Sequence, residues 1–433
     1  MIVVSIPSRL ACERSYGYDL LFRICLGLDV KILESACATC AEILIGDWRL
    51  SVHCAEVSRS DLLKTTPDVV CVTVDTLDFR YGELPAVPVI FSGSNLSPAS
   101  SAALADGGML QFDIGLAAFY IASGAWEVAF GERDERGRVA GKSSWLALVG
   151  MLELPIVEVY ARLLKRLLPY EVSARSPCAP LDSKVYVTCD VDRPFDSGLY
   201  SPGRIAKRLV RNLFLERRWE AAAGTIRTVS RILSNGWLAD PNNTFDYMMS
   251  VSERLGLKIA FYFICRRDDG IDAEYDVFST KMQGLLRSIA ERGHSIGIHG
   301  SYASQCVPGR LSDEVSVFRR TVESAGCAVS RVEGRQHYLR WDPLLGPGVV
   351  ESAGVETDLT LGFHDCIGFR RGLCRPFKLF DLASWQVSNV IERPLIAMDS
   401  SVVESDYSSV TEMHETYLEA FSSPAKWCRE GGG

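Results

Sequence analysis

The stretch KVYVTCDVD (184–192) decides how the second half of this 433-residue chain is read. β-Branched residues recur through it with the two-residue period of an extended strand. Side chains two apart in a strand share a face, so Val185, Val187 and Cys189 fall on one side and Thr188, Asp190 and Asp192 on the other. Two carboxylates near the end of a strand then point the same way. One can bind a cation while the other stays free to accept a proton. The same residues also fit a plainer role, with Asp192 opening the turn at Arg193 and Pro194.

Downstream the pattern alternates. TFDYMMSVSERLG (244–256) reads as a helix, KIAFYFIC (258–265) as a strand and KMQGLLRSIAERG (281–293) as a helix with Gly293 as its C-terminal cap. HSIGIHG (294–300) reads as another strand. This β-α-β-α order predicts a parallel sheet or barrel.

Four of the six histidines lie between residues 294 and 364. His294 and His299 bracket one strand. Five residues of strand span roughly 16 Å, and the odd spacing turns the two rings to opposite faces, so they cannot share an ion. His299 stands at the C-terminal end, where parallel barrels place their sites, and is the candidate ligand. His294 is structural. In RVEGRQHYLRW (331–341), Arg335 and His337 are two apart and share a face if extended. An arginine there can orient a catalytic carboxylate and lower its pKa. His337 either completes an Asp-plus-two-His metal site or is a hydrogen-bonding histidine under the next loop. His364, in LGFHDCIGFRRG (361–372), Tyr338 and Trp341 are further candidates to line the mouth of the site.

The N-terminal part carries no catalytic cluster, and His53 is its only histidine. VVCVTV (69–74) and VPVIF (87–91) read as strands. FDIGLAAFYIASGAWEVAF (112–130) and WLALVGMLELPIVEVYARLLKRLL (145–168) read as mainly helical. EVSARSPCAPLDS (171–183), rich in Pro, Ser and Ala, marks a linker. The expected organisation is a smaller α/β accessory domain at 1–172, a linker at 173–183, and an α/β barrel domain at 184–433.

Apolar residues make up 47% and charged residues 23%, enough for sizeable cores. The net charge of −8 argues against a nucleic-acid partner. No apolar run reaches the length of a membrane span, and the N-terminus lacks the basic lead of a secretion signal, so a cytoplasmic location is expected. The fourteen cysteines are scattered, as small buried residues in a reducing compartment would be. The lone CATC (37–40) has no second pair at zinc-finger spacing. Residues 204–231 hold eight basic side chains against Glu216 and Glu220. A solvated helical face and a peripheral membrane surface for anionic glycan carriers both account for them.

VTCDVD (187–192) resembles the first motif of the polysaccharide deacetylase superfamily, the NodB-like carbohydrate esterases, which pairs an Asp base with an Asp metal ligand. GHSIGIHGSY (293–302) resembles the second motif, and RQHYLRW (335–341) stands where the third brings an arginine to the base. RQHYLR, TDLTLGFHDCIGFRRGLCRPF (357–377) and ERPLIAMD (392–399) resemble a bacterial branch associated with surface polysaccharides. PVIFSG (88–93) and the stretches 112–138 and 154–168 resemble the N-terminal domain of that branch. The resemblance implies a distorted (β/α) barrel of the deacetylase type. It implies a divalent cation, zinc by preference, on Asp192 and His299, with Asp190 and Arg335 catalytic; His337 joins by geometry. The implied reaction is hydrolysis of N-acetyl groups on a hexosamine-containing polysaccharide or its lipid-linked precursor, in the cytoplasm or at the inner membrane surface.

Three departures stand out. The family's usual Glu is Ser295, a common second metal histidine is Ala303, and relatives continue into a strand whose histidine acts as general acid. The sequence ends at Cys428-Arg-Glu-Gly-Gly-Gly433, so the expectation is either a truncated chain or a missing last strand, with activity impaired. The alternatives are a non-catalytic glycan-binding or scaffold relative, and another metal-dependent amidohydrolase on the same barrel.

Overall fold

The computed structural model describes residues 1–37, 39–72, 86–93, 105–106, 109–176, 185–266 and 271–402, with positions 415, 418 and 422. The chain forms two compact units. One comprises Met1–Lys184, Tyr338–Ser352 and Glu356–Gly433, the other Val185–His337 and Ala353–Val355.

The first unit begins with strands β1 (Ile2–Pro7), β2 (Val30–Ser35), β3 (Cys40–Ile45), β4 (Trp48–His53), β5 (Val69–Val72), β6 (Val87–Ile90), β7 (Ala105–Asp106) and β8 (Met109–Leu110). Six of them form a mixed sheet in the order β2-β1-β3-β4-β8-β7, with β1 parallel to β2 and antiparallel to β3. β5 and β6 pair separately as antiparallel neighbours. Of the expected strand 69–74, positions 73–74 lie outside the described residues. The helical stretch 112–130 breaks at Gly124 into helices Ile114–Ser123 and Ala125–Phe130. Gly124 has a φ of 79°, and a Cβ there would overlap the Arg371 guanidinium, so the break requires glycine. The stretch 145–168 is helical only at Trp145–Leu148 and Ile156–Leu167. Gly150 turns left-handed between them, and Pro155 precedes the second helix because it cannot continue the first. Residues 170–173 form a short helix, and 177–183 of the expected linker lie outside the described residues.

The second unit contains β9 (Val187–Val191), β10 (Ile259–Ile264), β11 (Ser295–Gly300) and β12 (Glu333–Gln336), side by side in the order β12-β11-β10-β9 and all parallel. Helices Phe245–Arg254, Thr280–Glu291 and Arg310–Ser324 alternate with them along the chain. The helix Thr280–Glu291 buries Met282, Leu285, Leu286 and Ile289, an i, i+3, i+4, i+7 stripe. β10 is buried on both faces through Phe261, Tyr262, Phe263 and Ile264, as an inner parallel strand should be. Each such side chain contributes roughly 1.5–3 kcal/mol when removed from water. Parallel order puts all four C-terminal ends on one edge.

Three more strands, β13 (Thr357–Asp358), β14 (Phe377–Asp381) and β15 (Gln386–Glu392), belong to the first unit, where β15 is parallel to β13 and antiparallel to β14. The sequence reading placed all of 184–433 in one domain, whereas 338–352 and 356–402 cluster with the N-terminal residues. The reason is a set of buried polar links. Arg370 donates to both Glu127 oxygens at 2.9 and 2.8 Å, and Tyr16 donates to the Lys378 carbonyl at 2.7 Å. Among the described residues, no helix is long and apolar enough to cross a membrane.

Candidate metal centre

The C-terminal edge of the second unit gathers the chemistry. Register pairs Asp190 of β9 with Tyr262 of β10, Ile264 of β10 with His299 of β11, and His299 with Arg335 of β12. Asp192 and His337 follow directly on β9 and β12. Tyr275, from the loop after β10, accepts from the Ile264 amide and donates to the Val191 carbonyl, both at 2.8 Å, and so ties the ends of β9 and β10 together.

Arg335 donates to Asp190 Oδ1 at 3.0 Å and to Thr188 Oγ1 at 2.8 Å. Thr188 and Asp190 therefore do share a face, as two-residue spacing requires. The guanidinium also lies over the Tyr262 ring, 5.3 Å from its centre. That ring has room because position 297 is glycine: a Cβ there would come within 2.4 Å of it. Asp190 Oδ2 faces His299 Nε2 at 4.0 Å. Burial pushes the Asp190 carboxyl up, but Arg335, then His299, outweigh it, and the net direction is down. Asp190 is thus ionised at neutral pH.

His299 is almost wholly buried, and its Nδ1 lies 2.8 Å from the Arg335 carbonyl. A carbonyl only accepts, so Nδ1 carries the proton and the Nε2 lone pair faces Asp192 Oδ1 at 3.7 Å. Burial pulls the His299 pKa down more strongly than Asp190 and Asp192 pull it up, which keeps the ring neutral. His337 has the same design. Its Nδ1 lies 2.7 Å from Asp272 Oδ1, and its Nε2 faces Asp192 Oδ1 at 3.7 Å. A carboxylate on one imidazole nitrogen with the other turned to a shared centre is the arrangement that orients metal-binding histidines.

One ligand atom each from Asp192, His299 and His337 lies within 4.8 Å of the others. Two imidazoles and a carboxylate are a donor set for a divalent cation of the zinc type, which binds N and O ligands at about 2.0–2.2 Å and keeps positions open for substrate. The residues present therefore fit such an ion. Asp192, half exposed at 52%, gives the centre its access to solvent.

Of the candidates named from sequence, Asp190, Asp192, His299, Arg335 and His337 converge on this edge. His294, at the opposite end of β11, accepts from the Ile259 amide at 3.1 Å and lies 3.3 Å from Glu253. Tyr338, Trp341 and His364 belong to the first unit. There Arg136 stacks on Tyr338 at 4.1 Å, Trp341 is buried against Gly346, and His364 lies 3.7 Å from Asp134. Sequence reasoning missed Asp272. Its signal is its place in the acidic stretch that follows β10, on the edge where parallel strands put their sites.

A family model described as a family of unknown function, DUF7033, matches residues 2–172. No curated protein matches the chain. A crystal structure of a protein from Mycobacterium smegmatis, classed provisionally as a polysaccharide deacetylase, is similar at 16% identity, over 58% of this chain and 78% of that one, with a TM-score of 0.34. That likeness is too slight to establish a fold or an activity.

Proposed function

We propose that the second unit is a polysaccharide deacetylase-like, metal-dependent hydrolase that removes N-acetyl groups from hexosamines in a polysaccharide or its lipid-linked precursor, on a distorted (β/α) barrel. The single observation that carries this reading is the arrangement of Asp190 beside the Asp192, His299 and His337 cluster. One carboxylate is held ionised by Arg335 but keeps an oxygen uncommitted, next to three side chains suited to one cation. The ordered motifs VTCDVD, GHSIGIHGSY and RQHYLRW support the same reading.

Asp192, His299 and His337 would hold the cation, for which we propose zinc. When bound, a divalent ion supplies Lewis-acid polarisation of an amide carbonyl and lowers the pKa of water. Asp190 serves as general base. Its Oδ2 accepts the proton of the attacking water, while the Arg335 bond to Oδ1 fixes the carboxylate plane and its charge. The Arg335 carbonyl and Asp272 take the Nδ1 protons of His299 and His337, which leaves the Nε2 atoms of both rings turned to the shared centre. Arg335 also bonds Thr188, so it cannot swing away from Asp190 without losing two contacts.

The test is acetate release from chitin oligosaccharides and from an N-acetylhexosamine-containing lipid-linked glycan, with purified protein and added Zn²⁺. Release by the natural chain and its loss in Asp190→Asn are the expected results. Stoichiometric metal binding without acetate release from any acetylated glycan would overturn the catalytic reading and leave a glycan-binding protein.

A further inference from the structure

The basic segment 204–231 is a helical hairpin in the second unit. Helix Pro202–Val210 runs through a wide turn at Arg211–Leu215 to helix Trp219–Asn235, and the two helices touch. The longer helix buries Ala222, Thr225 and Ile232. It carries a second apolar stripe that faces outward. Trp219, Ile226 and Leu233 stand at seven-residue steps, nearly two full turns each, so they form one line along the helix. They are 66, 57 and 83% exposed. Phe214 and Leu215, in the turn before this helix, are 73 and 77% exposed. Large side chains rarely stand this exposed in a line without something to cover them.

Charge identifies what covers them. Eight basic residues stand against two acidic ones here, in a chain of net charge −8. Four of the basic residues have carboxylate partners: Arg204 with Glu274, Arg208 with Asp196, and Arg211 and Arg218 with Glu216. Lys207, Arg217, Arg227 and Arg231 have no carboxylate partner among the described residues. An amphipathic helix with Trp, Ile and Leu on one stripe and arginines beside it is built to lie in the headgroup layer of an anionic bilayer. A two-fold contact between copies would set these cationic faces against each other and repel.

We infer that this hairpin docks the protein onto an anionic membrane surface, with Phe214, Leu215, Trp219, Ile226 and Leu233 inserted at the acyl boundary and Lys207, Arg217, Arg227 and Arg231 on lipid phosphates. This docking is independent of the proposed hydrolysis and of its metal.

Co-sedimentation of the full chain with vesicles tests it, comparing pure phosphatidylcholine with an equal mixture of phosphatidylglycerol and phosphatidylcholine. The protein is expected to bind the mixed vesicles and to leave them as salt rises. A basic residue near an anionic surface is worth roughly fivefold in binding. The triple variant Arg217→Gln, Arg227→Gln, Arg231→Gln is therefore expected to lose on the order of a hundredfold. Phe214→Ser, Trp219→Ser, Leu233→Ser removes only exposed side chains. It is expected to lose at least about tenfold while keeping its circular dichroism spectrum and metal content. Equal binding to both vesicle types, or binding unchanged in both triple variants, overturns the inference. So does a soluble dimer that the apolar variant splits, which would give the face to a second copy.

Discussion

Each unit holds an arginine against a largely buried carboxylate, and the two pairings are built differently. In the first unit, Glu127 receives Arg370 on both oxygens and Arg371 on Oε1 at 3.2 Å, with all three side chains at most 1% exposed. In the second, Asp190 receives Arg335 on Oδ1 alone, and Oδ2 looks toward His299 and the open side of Asp192. A saturated carboxylate has no free lone pair to offer a proton or a substrate, so it acts as a fastener. A half-satisfied one, charged and within reach of water, can do chemistry.

The contrast breaks most sharply at the carboxylates themselves. Asp190→Asn is expected to lower deacetylation by about 10²–10⁴-fold, the worth of a general base. Its denaturant midpoint should fall less than that of Glu127→Gln, because Thr188 still receives Arg335 and Asp190, at 21% exposed, sits nearer solvent than Glu127. Glu127→Gln is expected to do the reverse. It leaves buried guanidinium groups without a counter-charge, a loss of about 3–5 kcal/mol measured by chemical denaturation. If Asp190→Asn unfolds the protein as Glu127→Gln does, the distinction fails.

Acid sharpens it. Burial raises the Glu127 pKa, but Arg370 and Arg371 overcome that and hold it at about 2, against an ordinary 4.5. A depressed carboxylate contributes stability that is complete above the unfolded value and lost as pH falls toward the folded one. Thermal denaturation should therefore show a loss of roughly 3 kcal/mol from this group between pH about 4.5 and 2. Glu127→Gln should abolish that component.

Asp272→Asn should weaken metal binding by about 10–100-fold in competition with a chelating dye, since Asp272 aims the His337 ring. The smallest effect belongs to His294. His294→Gln should cost on the order of 1 kcal/mol through its contact with the Ile259 amide and leave metal affinity unchanged.

Much of the site was legible before any coordinates. The two-residue period of 184–192 placed Thr188 and Asp190 on one face, and the five-residue gap separated His294 from His299. Those are properties of an extended backbone and need no neighbours. Asp272 had only its acidic neighbourhood as a signal, because its role depends on how the loop after β10 folds back, and loops carry no period. The docking of residues 356–402 onto the first unit was hidden for another reason. Glu127 and Arg370 are 243 positions apart, and nothing local to either announces the other.

The central claim is that Asp192, His299 and His337 hold one divalent cation beside Asp190. Elemental analysis of the purified chain, with and without Asp192→Ala plus His299→Ala, tests it most directly. About one zinc or similar ion is expected per natural chain, none in the double variant, and the same circular dichroism spectrum for both. Stoichiometric metal retained by the double variant, or none in the natural chain after zinc loading, would contradict it.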